Sequence, residues 1–206
     1  MVAHATQRDR LREILAVRPI VRASELRHEG IAAQIISRAL EDGEIERIGR
    51  GLYQRPDNPI DAGHALAETA KKIPRGVIAM TSALAFHGLT DQMPRRIWVA
   101  IGKTDWEPAP SYPPTRIVRF DEKYLRQGVE HHTISGVSVP IYSVAKTLAD
   151  LFRNPRLVDR SVAIEGLRAA LDQRKATPAE IAEAARAGAA WKVMRPYLEA
   201  LTANGG

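Results

Sequence analysis

IAAQIISRALEDGEIERIGRGLYQRP, residues 31–56, changes character at its midpoint. The first half has helical spacing. Ile31, Ile35, Ala39 and Leu40 form an apolar stripe, and Gly43 is a good C-terminal stop. Gln34, Ser37, Arg38 and Glu41 stand at i, i+3, i+4 and i+7, which makes one continuous polar face opposite that stripe. The second half holds two short β-type runs around Gly49-Arg50-Gly51. Glycine on both sides of Arg50 permits the positive φ angles that a tight hairpin needs. Pro56 closes the stretch.

Upstream, TQRDRLREILAV (6–17) places Leu11, Ile14 and Leu15 on one helical face, with Arg and Asp opposite. Thr6 is a plausible N-cap, with Asp9 three residues on, and Pro19 ends the helix. In VRASELRHEG a short helix opens at Ala23 or Ser24 and stops at Gly30. Three short helices followed by a hairpin is the order of a winged helix-turn-helix. In that fold the third helix enters the major groove of double-stranded DNA. Gln34 has the chemistry to pair with adenine and Arg38 with guanine, and Ser37 shares their face. Arg47 and Arg50 on the wing would reach phosphate or the minor groove, and Arg22 and Ser24 would grip a phosphate at the start of the second helix. The competing reading is a three-helix module used for protein contacts.

Composition is compatible with this and does not force it. The net charge is +6 and the sequence pI is about 9.8, the sign that draws a protein to polyanions. Residues 1–56 hold ten Arg, eight acidic residues and no Lys. Arg forks onto phosphate oxygens and guanine edges in a way Lys cannot copy. With no cysteine in the chain, disulfides, cysteine nucleophiles and thiolate metal sites are excluded, and a reducing cytosol fits. Apolar runs are too short to span a membrane, and the N-terminus lacks a signal-type apolar core, so the expectation is a cytoplasmic protein.

The run RPDNP at 55–59 combines Pro with turn formers and suggests a boundary between domains 1–56 and 60–206. The second part is mixed. Helices are expected over 61–73 and 81–88, the latter capped by Thr81 and stopped by Gly88. Gly76–Met80, Arg96–Ile101 and Arg116–Phe120 read as strands, with a Pro-rich loop over 102–114. Val129–Tyr142 reads as a hairpin around Ser135-Gly136. From Ser143 onward the pattern is helical, broken at Asn154-Pro155 and at Thr177-Pro178, where Thr177 and Glu180 suggest another capped start. The fold class expected is α+β: a winged helix-turn-helix followed by a mixed α/β domain with a helical C-terminal tail.

Several stretches share a resemblance. "LEDGEIERIGRGLYQRP" resembles the winged-helix module of the AbiEi family, antitoxins and autorepressors of the AbiE abortive-infection, type IV toxin–antitoxin systems. "TSALAFHGLTDQMP" followed by "RRIWVAI", then "GVSVPIYSVAKTLADLF", and finally "VAIEGLRAALDQRKATPAEIAEAA" with "RPYLEAL" resemble the rest of that family, in order along nearly the whole chain. The resemblance implies a regulator that represses its own operon at a promoter operator of inverted-repeat form. It also implies a C-terminal antitoxin domain that neutralises a nucleotidyltransferase-like toxin encoded beside it, without needing a stable complex. A stand-alone winged-helix regulator with a ligand-sensing or dimerising second domain is the alternative.

No residue pattern calls for catalysis, a metal or a cofactor. Asp105 with Asp121-Glu122-Lys123 could be imagined as a metal-dependent nuclease core, but such triplets are common, and a charged turn after Phe120 is the simpler reading. His131-His132 in a strand point to opposite faces and cannot chelate one ion together. His87 is expected to pack or cap, and Asp150 to be exposed or to pair with a neighbour in a structural role. Trp98, Trp106 and Trp191 are expected in core or interface. Ser82 and Ser143 lack a nucleophile's surroundings.

Overall fold

The computed structural model describes residues 6–57, 62–109 and 112–203. The chain forms two compact units, Met1–Pro74 with His132–Val139, and Arg75–His131 with Pro140–Gly206.

The first unit opens with α1 (Gln7–Val17). The Thr6 hydroxyl accepts from the Asp9 amide, and the Asp9 carboxylate accepts from the Thr6 amide at 3.1 Å, so two otherwise orphaned donors are satisfied. β1 (Ile20–Arg22) and α2 (Ala23–His28) follow, then α3 (Ala33–Glu41), β2 (Glu46–Gly49) and β3 (Leu52–Gln54). The strands form an antiparallel sheet in the order β1-β3-β2. This is the winged helix-turn-helix arrangement. Its core is Leu11, Leu15, Val21, Leu26, Ile31, Ile36, Ala39 and Ile45.

One local expectation needs correction, and one strand was not expected. α3 starts at Ala33, after Ile31, so the helix turns its inner face through Ile36 and Ala39. Ile35 is half-buried and packs against this core, as the stripe has it, whereas Leu40 is exposed where the stripe places it inward. β1 has only three residues, too few to show an alternation, and its strand state comes from pairing with β3 at Val21↔Tyr53.

α4 (Ala62–Lys72) packs along β1 and groups with the first unit. The compact unit thus runs past the boundary expected at 56–60. Pro56 and Asp57 form a turn, and the rest of the expected boundary lies outside the described residues, but tertiary contacts decide which helix belongs to which core. The tip of a later hairpin, His132–Val139, also belongs to this unit. There Gly136 takes φ +67°, and a Cβ on it would lie 2.7 Å from the Val17 carbonyl oxygen.

The second unit carries β4 (Val77–Ile78), α5 (Met80–Phe86), β5 (Ile97–Gly102), β6 (Thr115–Phe120), α6 (Glu122–Leu125), the outer parts of β7 (Val129–Ile134) and β8 (Val137–Tyr142), whose hairpin tip belongs to the first unit, and helices α7 (Val144–Arg153), α8 (Arg160–Asp172), α9 (Pro178–Ala187) and α10 (Trp191–Ala203). The sheet order is β6-β5-β4-β8-β7. β5 pairs parallel to β6 from Ile97↔Thr115 to Gly102↔Phe120, while β4 is antiparallel to β5 and parallel to β8. α7 is the central helix, packed against α5, α8, α9 and α10. α8 comes close to its neighbours at Gly166, where a Cβ would stand 2.8 Å from Leu84. Thr81 does not cap α5: the helix begins one residue earlier, with Ala79 at the N-cap and Met80 at φ +52°. Thr177 and Glu180 do form a capping box at α9.

Candidate nucleic-acid interface

α3 uses Ile36 and Ala39 to pack inward, which leaves Gln34, Ser37 and Arg38 exposed on its outer side. None of the three side chains makes a hydrogen bond or ion pair among the described residues. Ser24 is exposed in the first turn of α2, and Arg22 is half-buried at the end of β1. The Arg22 amide donates to the Glu25 carboxylate at 2.6 Å, which fixes the junction of β1 with α2.

The wing is joined to that junction. Arg22 pairs with Leu52, and the Ala23 amide donates to the Gly51 carbonyl at 2.8 Å. Gly51 needs φ +63° for the turn. Gly49 does not take a positive φ; its lack of a side chain instead admits the Lys72 stem, whose Cε lies 3.1 Å from where a Cβ would stand. Arg50 is exposed at the tip, and Arg47 is exposed with its Nε donating to the Gly49 carbonyl at 3.2 Å. The turn that carries Arg50 is therefore held beside Arg22 and Ser24, Arg47 lies across β3 from β1, and the polar side of α3 is a separate exposed surface of the same unit.

The arginines of the first unit fall into two groups. Arg8 pairs with Asp42 and Glu44, Arg12 with Asp9 and Glu44, Arg10 and Arg18 with Glu29, and Arg55 with Asp57. Arg8 and Arg12 hold the Glu44 carboxyl down to about 2. A depressed carboxylate pKa stabilises the fold above its ordinary value near 4.5, and that contribution is lost as pH falls toward 2. In contrast, Arg22, Arg27, Arg38, Arg47 and Arg50 have no carboxylate within ion-pair distance among the described residues. They lie on β1, α2, α3 and the wing. A cation left unneutralised keeps its whole charge for an external anion.

Arg27 was missed by the sequence reading. It is exposed on α2 three residues after Ser24, beside the exposed His28. The spacing from Ser24 was the available signal, since i and i+3 share a helical face.

Elsewhere, Asp105 pairs with Arg75 and accepts from the Gly102 amide, and Asp121 pairs with Lys103. Ser82 accepts from the Trp98 amide, Ser143 caps α7, and His87 Nε2 lies 2.7 Å from the Tyr142 carbonyl. Trp98 is buried, whereas Trp106 is 91% exposed.

Residues 9–56 match the family model described as transcriptional regulator, AbiEi antitoxin. Over that stretch the chain is of the AbiEi antitoxin regulator type, in agreement with the resemblance carried by "LEDGEIERIGRGLYQRP". Among solved structures, the crystal structure of the RV2827C protein from Mycobacterium tuberculosis is similar, with a TM-score of 0.57 and 13% identity over 94% of this chain and 79% of that one. At that identity the likeness shows a shared fold. A comparison with curated proteins gives no match.

Proposed function

We propose that this chain, an AbiEi-type regulator in its N-terminal domain, binds double-stranded DNA at its own promoter through α3 and the wing and neutralises a nucleotidyltransferase-like toxin through its second unit. The observation that carries the DNA reading is the segregation of arginines: those of α1 are neutralised, and those of β1, α2, α3 and the wing have no carboxylate partner among the described residues. In this reading Gln34, Ser37 and Arg38 face base edges. Arg22, Ser24, Arg27, Arg47 and Arg50 contact the backbone. No covalent chemistry is assigned to either unit. The two roles are divided between the units, with the first one including α4.

The test is fluorescence anisotropy with duplex DNA from upstream of the gene, titrated with salt. Binding should weaken linearly in a log–log plot as counterions are released. Affinity for all duplexes alike, with no preference for the upstream sequence, would remove the operator reading. Removal of Arg50 should lower affinity for every sequence alike and reduce the salt slope by about one, as expected for one lost phosphate contact. A loss confined to the upstream sequence, with the slope unchanged, would assign Arg50 to base readout.

Neutralisation is tested in cells that express the toxin encoded beside the gene. The full-length Arg38→Ala variant should fail to repress the promoter and still restore growth. Simultaneous loss of both activities in a folded variant would show that they are not divided between the units.

A further inference from the structure

α4 lies beyond the stretch that matches the regulator family, yet it touches the junction of α2 with the wing, beside Arg22 and Ser24. Lys71, on its last turn, forms an ion pair with Glu25. The two side chains are only 16% and 33% exposed. Glu25 stands next to Ser24, and its other oxygen accepts the Arg22 amide. The neighbouring Lys72 lays its stem over Gly49 in the wing and pairs with Glu68 at 2.7 Å.

We propose that Lys71 is a positioning residue for DNA binding, which acts by neutralising Glu25 at the start of α2. This rests on the DNA-binding reading above. Glu25 is needed where it is, because its carboxylate anchors the amide of Arg22 and so sets the start of α2. A carboxylate there also stands beside Arg22 and Ser24, where a phosphate is to approach, and like charges repel strongly in a partly desolvated setting. Lys71 cancels that charge from α4, by its ion pair with the Glu25 carboxylate. Burial alone would push the Glu25 carboxyl up; the hydrogen bonds from Lys71 and the Arg22 amide outweigh it and hold the group below its ordinary value. The carboxylate is thus ionised, so its compensation matters throughout the neutral range.

Four full-length variants separate this role from a bracing one: Lys71→Met, Lys71→Arg, Glu25→Gln and the Lys71→Met/Glu25→Gln double. Each is measured by anisotropy on the upstream duplex across a salt series, with thermal unfolding followed in parallel. Lys71→Met should bind roughly fivefold more weakly at low salt, the gap narrowing as salt rises, because the lost term is electrostatic. Lys71→Arg should bind within about twofold of the native chain, since it keeps the charge. Glu25→Gln keeps an acceptor for the Arg22 amide without the charge, so it should bind at least as tightly as the native chain. The double variant should recover to within about twofold of the native chain, since no bare carboxylate remains. Native-like binding by Lys71→Met, or a double variant as weak as Lys71→Met, would overturn the role of Lys71. A native chain that shows no salt-dependent binding to DNA would overturn the DNA reading itself.

Discussion

Asp150→Ala should cost the second unit about 3–5 kcal/mol, the usual penalty for removing one member of a buried ion pair. Asp150 is fully buried on α7, with Lys146 Nζ at 2.8 Å and Arg153 at 3.3 Å. Desolvation pushes the Asp150 carboxyl up and the Lys146 ammonium down, so each charge depends on its partner. Truncation leaves Lys146 buried with no counter-charge, while Arg153 still has the Gly188 carbonyl and the faces of Phe120 and Tyr124. A domain of this size has about 5–15 kcal/mol in total, so the loss takes a large part of it. All three tryptophans lie in this unit, so a urea melt followed by tryptophan fluorescence reads it selectively. Lys146→Met with Asp150→Leu should restore most of the stability, because two apolar side chains incur no charge desolvation. A single variant within 1 kcal/mol of the native chain would mean that the pair is not structurally important.

Arg38→Ala should weaken operator binding by about 1–3 kcal/mol and relax sequence preference at one base pair. The guanidinium is exposed on α3 with no carboxylate partner among the described residues, so its donors are available without first breaking a contact. That distinguishes Arg38 from Arg8 or Arg12, which would have to leave Glu44. The two parts of the prediction are read together, by affinity for the upstream duplex and by selection from a randomised one. Unchanged affinity and unchanged preference would place α3 outside the groove.

Local chemistry made parts of this fold legible. Thr6 with Asp9 and Thr177 with Glu180 each satisfy donors within a few residues, and both boxes form as their spacing suggests. Ser135-Gly136 turns the hairpin with both residues at positive φ. The polar face of α3 followed from helical spacing alone. Features that depend on distant partners were not legible. β1 exists because β3 is beside it, and α6, at four residues, is too short to show a period. A lysine on a helix reads as solvated, yet Lys146 is 2% exposed because Asp150, Phe120 and Tyr142 surround it. The availability of Arg22, Arg27, Arg38, Arg47 and Arg50 was hidden for the same reason: the sequence lists ten arginines in this region, and only the fold sorts them by partner.

The assignment of His132–Val139 to the first unit has a consequence in time. A ribosome releases residue 74 first and residue 139 only after making 75–131, several seconds later at ~5–20 residues per second. Through that interval the nascent first unit lacks one of its own segments. A transcript broken between those codons yields a first unit that stays unfinished. Completion of the first unit is thereby tied to translation of a large part of the unit that follows it.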